Sequence, residues 1–135
     1  MIRIVVGPLE FRARLEEAAA PRSCAAFRKL LPWAQELIHG RWSGEAGWIP
    51  LGDLAFGVGV ENATSAPAPG ELLLYPGGIS ETEVLFPYGI SRFACKDGPL
   101  EGNRFLTVVE GRERLPELGR LLLRKGAQPI RFEEV

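Results

Sequence analysis

PGELLLYPGGISETEVLFPYG, residues Pro69 to Gly89, contains two strands and the turn between them. Glu71 to Tyr75 is apolar and strand-like, Pro76-Gly77-Gly78 is punctuation that no helix survives, and Ser80 to Phe86 alternates polar with apolar residues. The rest of the chain is placed around this β-hairpin. If its turn sets Tyr75 opposite Ser80, then Glu81 and Glu83, two apart on one strand, share a face with Leu72 and Leu74. Carboxylates beside leucines must be paired, protonated or at a mouth open to water. They are read either as a site, in which one glutamate titrates high and the other receives a ligand, or as a solvated face or an ion pair with Arg41 or Arg92.

Upstream, Ile2 to Val6 and the alternating Leu9 to Leu15 flank Gly7-Pro8 as a first hairpin, with Leu9, Phe11, Ala13 and Leu15 on its apolar face. Pro21 suits the opening turn of a helix over Ala20 to Leu31, whose apolar face is Cys24, Phe27, Leu30 and Leu31 and whose end is Pro32. Ala34 to Trp42 reads as a strand, Ser43-Gly44-Glu45 as its turn and Ala46 to Leu51 as its return, with His39 and Arg41 on one face. Gly52 to Pro69 is a long loop, of the kind that is usually functional or mobile, and it carries Glu61, Asn62, Thr64 and Ser65.

Downstream, Phe93 to Lys96 forms a short strand, Asn103 to Glu110 a longer one, and Arg112 to Lys125 an amphipathic helix stopped by Gly126. Pro129 to Glu134 closes the chain as a strand. Many short strands, two helices and no repeated β-α-β rhythm predict a mainly β protein, an antiparallel barrel capped by helices. No repeat or linker divides residues 1–135, and a single domain is expected.

The charge excludes some functions. Sixteen Lys and Arg against seventeen Asp and Glu leave a net charge of -1, so no nucleic-acid or membrane partner is expected. Without a leader or an apolar run of about 20 residues, a cytoplasmic location is expected. Cys24 and Cys95 stand in no metal-type spacing and are expected to be small core residues. A lone histidine makes no multi-histidine metal site, and no spacing implies a cofactor.

The first helix opens on Ala20-Pro21-Arg22-Ser23-Cys24-Ala25-Ala26-Phe27-Arg28-Lys29-Leu30, which resembles the A-P-K-T-x-x-N-F-x-x-L stretch of cyclophilins. The closing order of strand, helix and strand after Val109-Glu110-Gly111 is similar as well. The middle, Ile38 to Glu45 and Tyr75 to Gly89, is similar to small bacterial cyclophilin-like proteins of unassigned function. The resemblance implies a cyclophilin-like closed antiparallel β-barrel of about eight strands with a helix over each end. Cyclophilins polarise a prolyl peptide with the arginine of an F-H-R segment and seat the proline on an aromatic floor from Q-F-F. Here Arg41 follows His39 after an inserted Gly40, Asn103-Arg104-Phe105 is the counterpart of Q-F-F, and nothing matches Q-G-G-D or W-L-D-G-K-H.

Other residues join the candidate site. His39 suits an acid–base partner of Glu81 or Glu83, or else a satisfied strand histidine. Trp42 and Trp48 flank the Ser43 turn as walls for a planar ligand, or as cross-strand packing. Tyr88 adds a polar contact, and Glu61 and Asn62 either close over a barrel-rim pocket or satisfy their own turn. The expected function is binding of a small carboxylate or amide, or of a peptide, at His39, Arg41, Trp42, Trp48, Glu61, Asn62, Glu81, Glu83 and Tyr88. The alternatives are a prolyl isomerase, with Arg41 on the carbonyl and Phe105 under the ring, and a non-catalytic homodimer.

Overall fold

The computed structural model describes all 135 residues. Its strands are β1 Ile2–Val6, β2 Leu9–Leu15, β3 Trp33–His39, β4 Gly44–Gly52, β5 Ala63–Thr64, β6 Glu71–Tyr75, β7 Thr82–Ser91, β8 Ala94–Cys95, β9 Gly98–Pro99, β10 Gly102–Glu110 and β11 Gln128–Glu134. The helices are α1 Pro21–Arg28 and α2 Leu115–Lys125, the latter entered through a short 3-10 turn at Arg112–Arg114. Eight strands follow one another as β2, β1, β11, β3, β4, β7, β6 and β10, and β10 pairs back onto β2. Every ladder is antiparallel, so the barrel closes without a free edge.

The barrel interior follows the period of two. Leu9, Phe11, Ala13 and Leu15 of β2 point inward, as their alternation predicts, together with Ile2, Ile4, Val6, Leu72, Leu74, Val84 and Phe86. The two helices close opposite ends. At one, Phe27 of α1 packs edge-on against Trp33, Phe105 and Phe132, with ring centroids 6.0, 5.0 and 5.2 Å away. At the other, Leu115, Leu118 and Leu122 of α2 are buried, and Gly119 lies flat against the Tyr88 ring.

Three expectations change. β3 ends at His39, not Trp42: the Gly40 N–H makes the last bond in register with the β3–β4 ladder, to the Ala46 carbonyl at 2.8 Å, and Arg41 and Trp42 lie in the turn beyond it. The central hairpin pairs Tyr75 with Glu83, not with Ser80, and Leu73 with Leu85. This register reverses the parity, so Glu83 shares its face with Leu73, Tyr75 and Leu85, outside the barrel, and Leu72 and Leu74 point inside. Finally, Phe105 falls where the β10–β6 register shifts, between Arg104 and Leu106. The bulge lets both Phe105 and Leu106 enter the core, which leaves Phe105 fully buried under α1 instead of forming a floor that a substrate can reach.

A second, smaller core lies on the outer wall. Ile38, Trp48, Leu85 and Leu73 are neighbours in register across β3, β4, β7 and β6. The segment from Arg92 to Glu101 folds over part of this row, burying Phe93 and Leu100 against Leu73, Tyr75, Leu85 and Ala46. The Phe93 N–H donates to the Ser65 carbonyl at 2.7 Å, and β8 and β9 form a small hairpin with Lys96 and Asp97 at its tip.

The Gly119 contact sets two effects against each other. Alanine in mid-helix is favoured over glycine by about 1 kcal/mol. A Cβ at Gly119, however, would overlap the Tyr88 ring, and overpacking of this kind costs about 1–3 kcal/mol. Gly119→Ala is therefore expected to lower the urea midpoint. A rise would show that Tyr88 does not pack as described.

Candidate functional site

The uncovered part of the outer row floors a cleft of about 520 Å³. Its apolar wall is Ile38, Trp48 and Leu85; its polar groups come from His39, Arg41 and Ser43, from Ser80, Glu81 and Glu83, and from Lys96 and Asp97. Six of the residues expected from the sequence meet here: His39, Arg41, Trp42, Trp48, Glu81 and Glu83.

Ser43 joins the two rims. Its hydroxyl donates to the Ala94 carbonyl at 3.2 Å and accepts the Ala94 N–H at 3.2 Å. Its carbonyl accepts the Ser91 hydroxyl at 2.7 Å and the Arg92 N–H at 3.1 Å. The turn that carries Arg41 and Trp42 is thus bonded to the segment that carries Cys95, Lys96 and Asp97. Opposite, the Tyr75 hydroxyl accepts the backbone N–H groups of Ile79 and Ser80 at 3.0 and 3.3 Å, which fixes the turn before Glu81.

Glu83 is the unusual group. Only 6% of it is exposed, yet it forms no hydrogen bond and no ion pair with the protein. Its strand neighbours in register are Tyr75 and Pro50, and Pro50 has no N–H to offer. Burial first, then the charge of Glu81, pushes its carboxyl up to about 7. The Trp48 indole pulls the other way, but weakly: its Nε1–H makes no well-formed hydrogen bond and lies buried without a partner. A buried polar group left open in this way is uncommon in a folded protein. Arg41, Lys96, Glu81 and Asp97 also take part in no ion pair, although they line one cleft.

The other candidates have structural work elsewhere. The Tyr88 hydroxyl meets His39 Nε2 at 2.9 Å on the barrel side, behind the cleft. Glu61 caps α1 from a distant segment: its carboxylate accepts the Ser23 N–H at 2.6 Å, where the residue preceding the helix, Ala20, supplies no side-chain cap. Its own N–H donates to Asn103 Oδ1 at 3.1 Å. Asn62 takes a left-handed conformation, φ 49°, and donates to the Arg104 carbonyl at 2.8 Å. Neither Glu61 nor Asn62 reaches the cleft, and the loop they hold is tied to β10 through β5. Cys24 is core, as expected, and burial pushes its thiol up to about 11; Cys95 is only partly buried and lines the cleft.

The sequence reading missed Ser43, Ser80, Lys96 and Asp97. A signal was present in Phe93 and Leu100, two apolar residues bracketing the turn Lys96-Asp97-Gly98-Pro99, which mark a segment that must lie on an apolar surface. No three of the His, Cys, Asp and Glu side chains stand together so as to hold a metal ion. No helix is long and apolar enough to cross a membrane.

Two solved structures have a similar fold. McbB, in complex with tryptophan, aligns with 99% of this chain at a TM-score of 0.74 and 17% identity, and the chain spans 44% of McbB's length. The hypothetical protein AF2241 from Archaeoglobus fulgidus, solved in solution, aligns with 99% of this chain and 93% of its own length, at a TM-score of 0.60 and 18% identity. No curated protein matches the chain. Residues 2–134 match DUF3830, a family of proteins of unknown function, and the chain belongs to that family.

Proposed function

We propose that the outer cleft binds a small planar ligand bearing a carboxylate or an amide. The observation that carries this reading is that the buried Glu83 carboxyl, without an ion pair, lines the same cleft as the unpaired Arg41 and the two tryptophans. A carboxyl so deeply buried without an ion pair is uncommon in a folded chain, and Arg41, exposed on the rim, is free to meet a ligand anion. The Arg41 guanidinium suits a carboxylate through two parallel hydrogen bonds, and Trp48 and Trp42 offer flat faces, the latter 55% exposed. That a protein of similar fold, McbB, is seen with tryptophan supports a planar ligand of this kind.

The stretch Ala20 to Leu30 supports placing the barrel with the cyclophilin-like proteins. Prolyl isomerisation is the less favoured activity, because the Phe105 ring that would receive proline lies inside the barrel. We read the chain as a single cytoplasmic domain, and its even charge balance argues against nucleic-acid or anionic-membrane partners. A non-catalytic homodimer is the remaining alternative, and sedimentation analysis distinguishes it by a mass that rises with concentration.

Binding is tested by NMR titration with tryptophan, indole-3-acetate and benzamide while the Trp48 indole N–H signal is followed. A saturable shift is expected, and Arg41→Ala should weaken the two carboxylates by about tenfold, the loss of one charge-assisted contact, and spare benzamide. An unmoved indole signal throughout the panel would overturn the reading.

Glu83 also imposes a pH dependence on stability. Its carboxyl titrates near 7 in the folded chain against an ordinary 4.5. Below pH 4.5 both states hold the proton and the group contributes nothing. Between 4.5 and 7 the unfolded chain releases it first, so stability falls as pH rises; above 7 the whole penalty, of order 2 kcal/mol after allowance for solvent reach, is in place. Glu83→Gln is therefore expected to match the native protein at pH 4 and to exceed it at pH 8 by about that amount. Equal stabilities at pH 8 would show that Glu83 is solvated or paired.

A further inference from the structure

We propose that the ligand of this cleft also carries a positively charged amine, received by Glu83 and Glu81, so that the site takes aromatic zwitterions with the amine at this pair and the carboxylate at Arg41. The inference rests on the ligand reading above and names the ligand's class. Three features carry it. First, Glu81 and Glu83 bring two carboxyls to one cleft, and no cation of the chain pairs with either. The Trp48 Nε1 atom set against Glu83 is sealed from solvent, whereas the Glu83 oxygens are not, so the carboxyl is the group that a ligand reaches. Second, the same lining includes Trp42 and Trp48, and a cation held over an indole face is attracted by its π electrons. Third, Arg41, exposed on the rim, gives the cleft the opposite charge as well. Two carboxyls beside an apolar wall fall short of the roughly six oxygen ligands that a hard divalent cation collects. An ammonium on an aromatic body answers the acids and the wall together.

Proton linkage gives this ligand a signature. Burial first, and then Glu81, raise the Glu83 carboxyl to about 7, so below neutral pH the empty site keeps a proton there. An ammonium beside it favours the carboxylate; the proton leaves to solvent and an N–H of the ligand donates to the oxygen in its place. Filling the site therefore releases about three-quarters of a proton at pH 6.5 and about a tenth of one at pH 8, and affinity for the amine rises with pH until it levels off above 7. On the neighbouring strands Trp48, Pro50 and Tyr75 are set against Glu83, and the other titratable or charged groups of the cleft are His39, Arg41, Glu81, Cys95, Lys96 and Asp97. The Glu83→Gln variant separates the Glu83 proton from any of theirs.

Tryptophan and indole-3-propionate, which differ only in the amine, are the probes, titrated by calorimetry at pH 6.5 and 8 in two buffers of different ionisation enthalpy. Tryptophan is expected to bind at least tenfold tighter at pH 8, the gain from one charge-assisted contact, and to release its proton at pH 6.5, whereas indole-3-propionate releases none. Glu83→Gln should abolish the release and erase tryptophan's advantage over indole-3-propionate. Equal affinities for the two probes, binding of tryptophan without proton release, or an advantage that survives Glu83→Gln overturns the inference and leaves the ligand reading standing. Binding of neither probe overturns both.

Discussion

The pairing of Tyr75 with Glu83 is the constraint on which the rest of the molecule depends. Side chains on a strand alternate between faces, so this one register sends Leu72, Leu74, Val84 and Phe86 into the barrel and Leu73, Tyr75, Glu83 and Leu85 to its outer wall. A slip of one residue would drive the Glu83 carboxyl into an apolar interior, where an unpaired charge costs several kcal/mol after relaxation. It would also strip Val84 and Phe86 of the same strand from the main core. The register therefore has few competitors, and it sets the chemistry of the outer wall as firmly as that of the interior.

An apolar outer wall needs a cover, and the chain supplies only part of one. Phe93 and Leu100 bury the Leu73, Tyr75 and Leu85 end, and the Ser43 hydrogen bonds hold this cover to the turn after β3. The Ile38 and Trp48 end stays open as the cleft floor. Polar groups that would be silent in water are consequential here. Glu83 and the Trp48 N–H sit among apolar neighbours, where electrostatic interactions are stronger than in bulk and where each missing partner is felt.

Away from the cleft, polar residues tie the long loop to the rest of the fold. Glu61 sits at the N-terminus of α1 because the helix begins on Ala20 and Pro21 with no capping side chain of its own. Asn62 and Arg104 fasten the same long loop to the barrel, with Arg104 also 3.2 Å from Glu71. A loop of this length is thereby ordered through hydrogen bonds to β10 and α1, and its polar residues stabilise the fold.

Alternation and punctuation in the sequence were enough to determine the strands β1, β2, β6, β10 and β11, both helices and the barrel class, because hydrophobic periodicity and turn chemistry act over a few residues. They also singled out Glu81, Glu83, Trp48 and Arg41, since carboxylates and indoles on strand faces are conspicuous before any fold is known. Three matters were decided by tertiary structure alone. The inward or outward sense of Glu83 turned on a register that the six residues between Tyr75 and Thr82 leave free. The burial of Phe105 followed from a bulge between β10 and β6, and the cleft itself exists only because Phe93 and Leu100, distant in sequence from Trp48, dock beside it. Each of these depends on pairing between segments far apart in the chain, which local pattern does not encode.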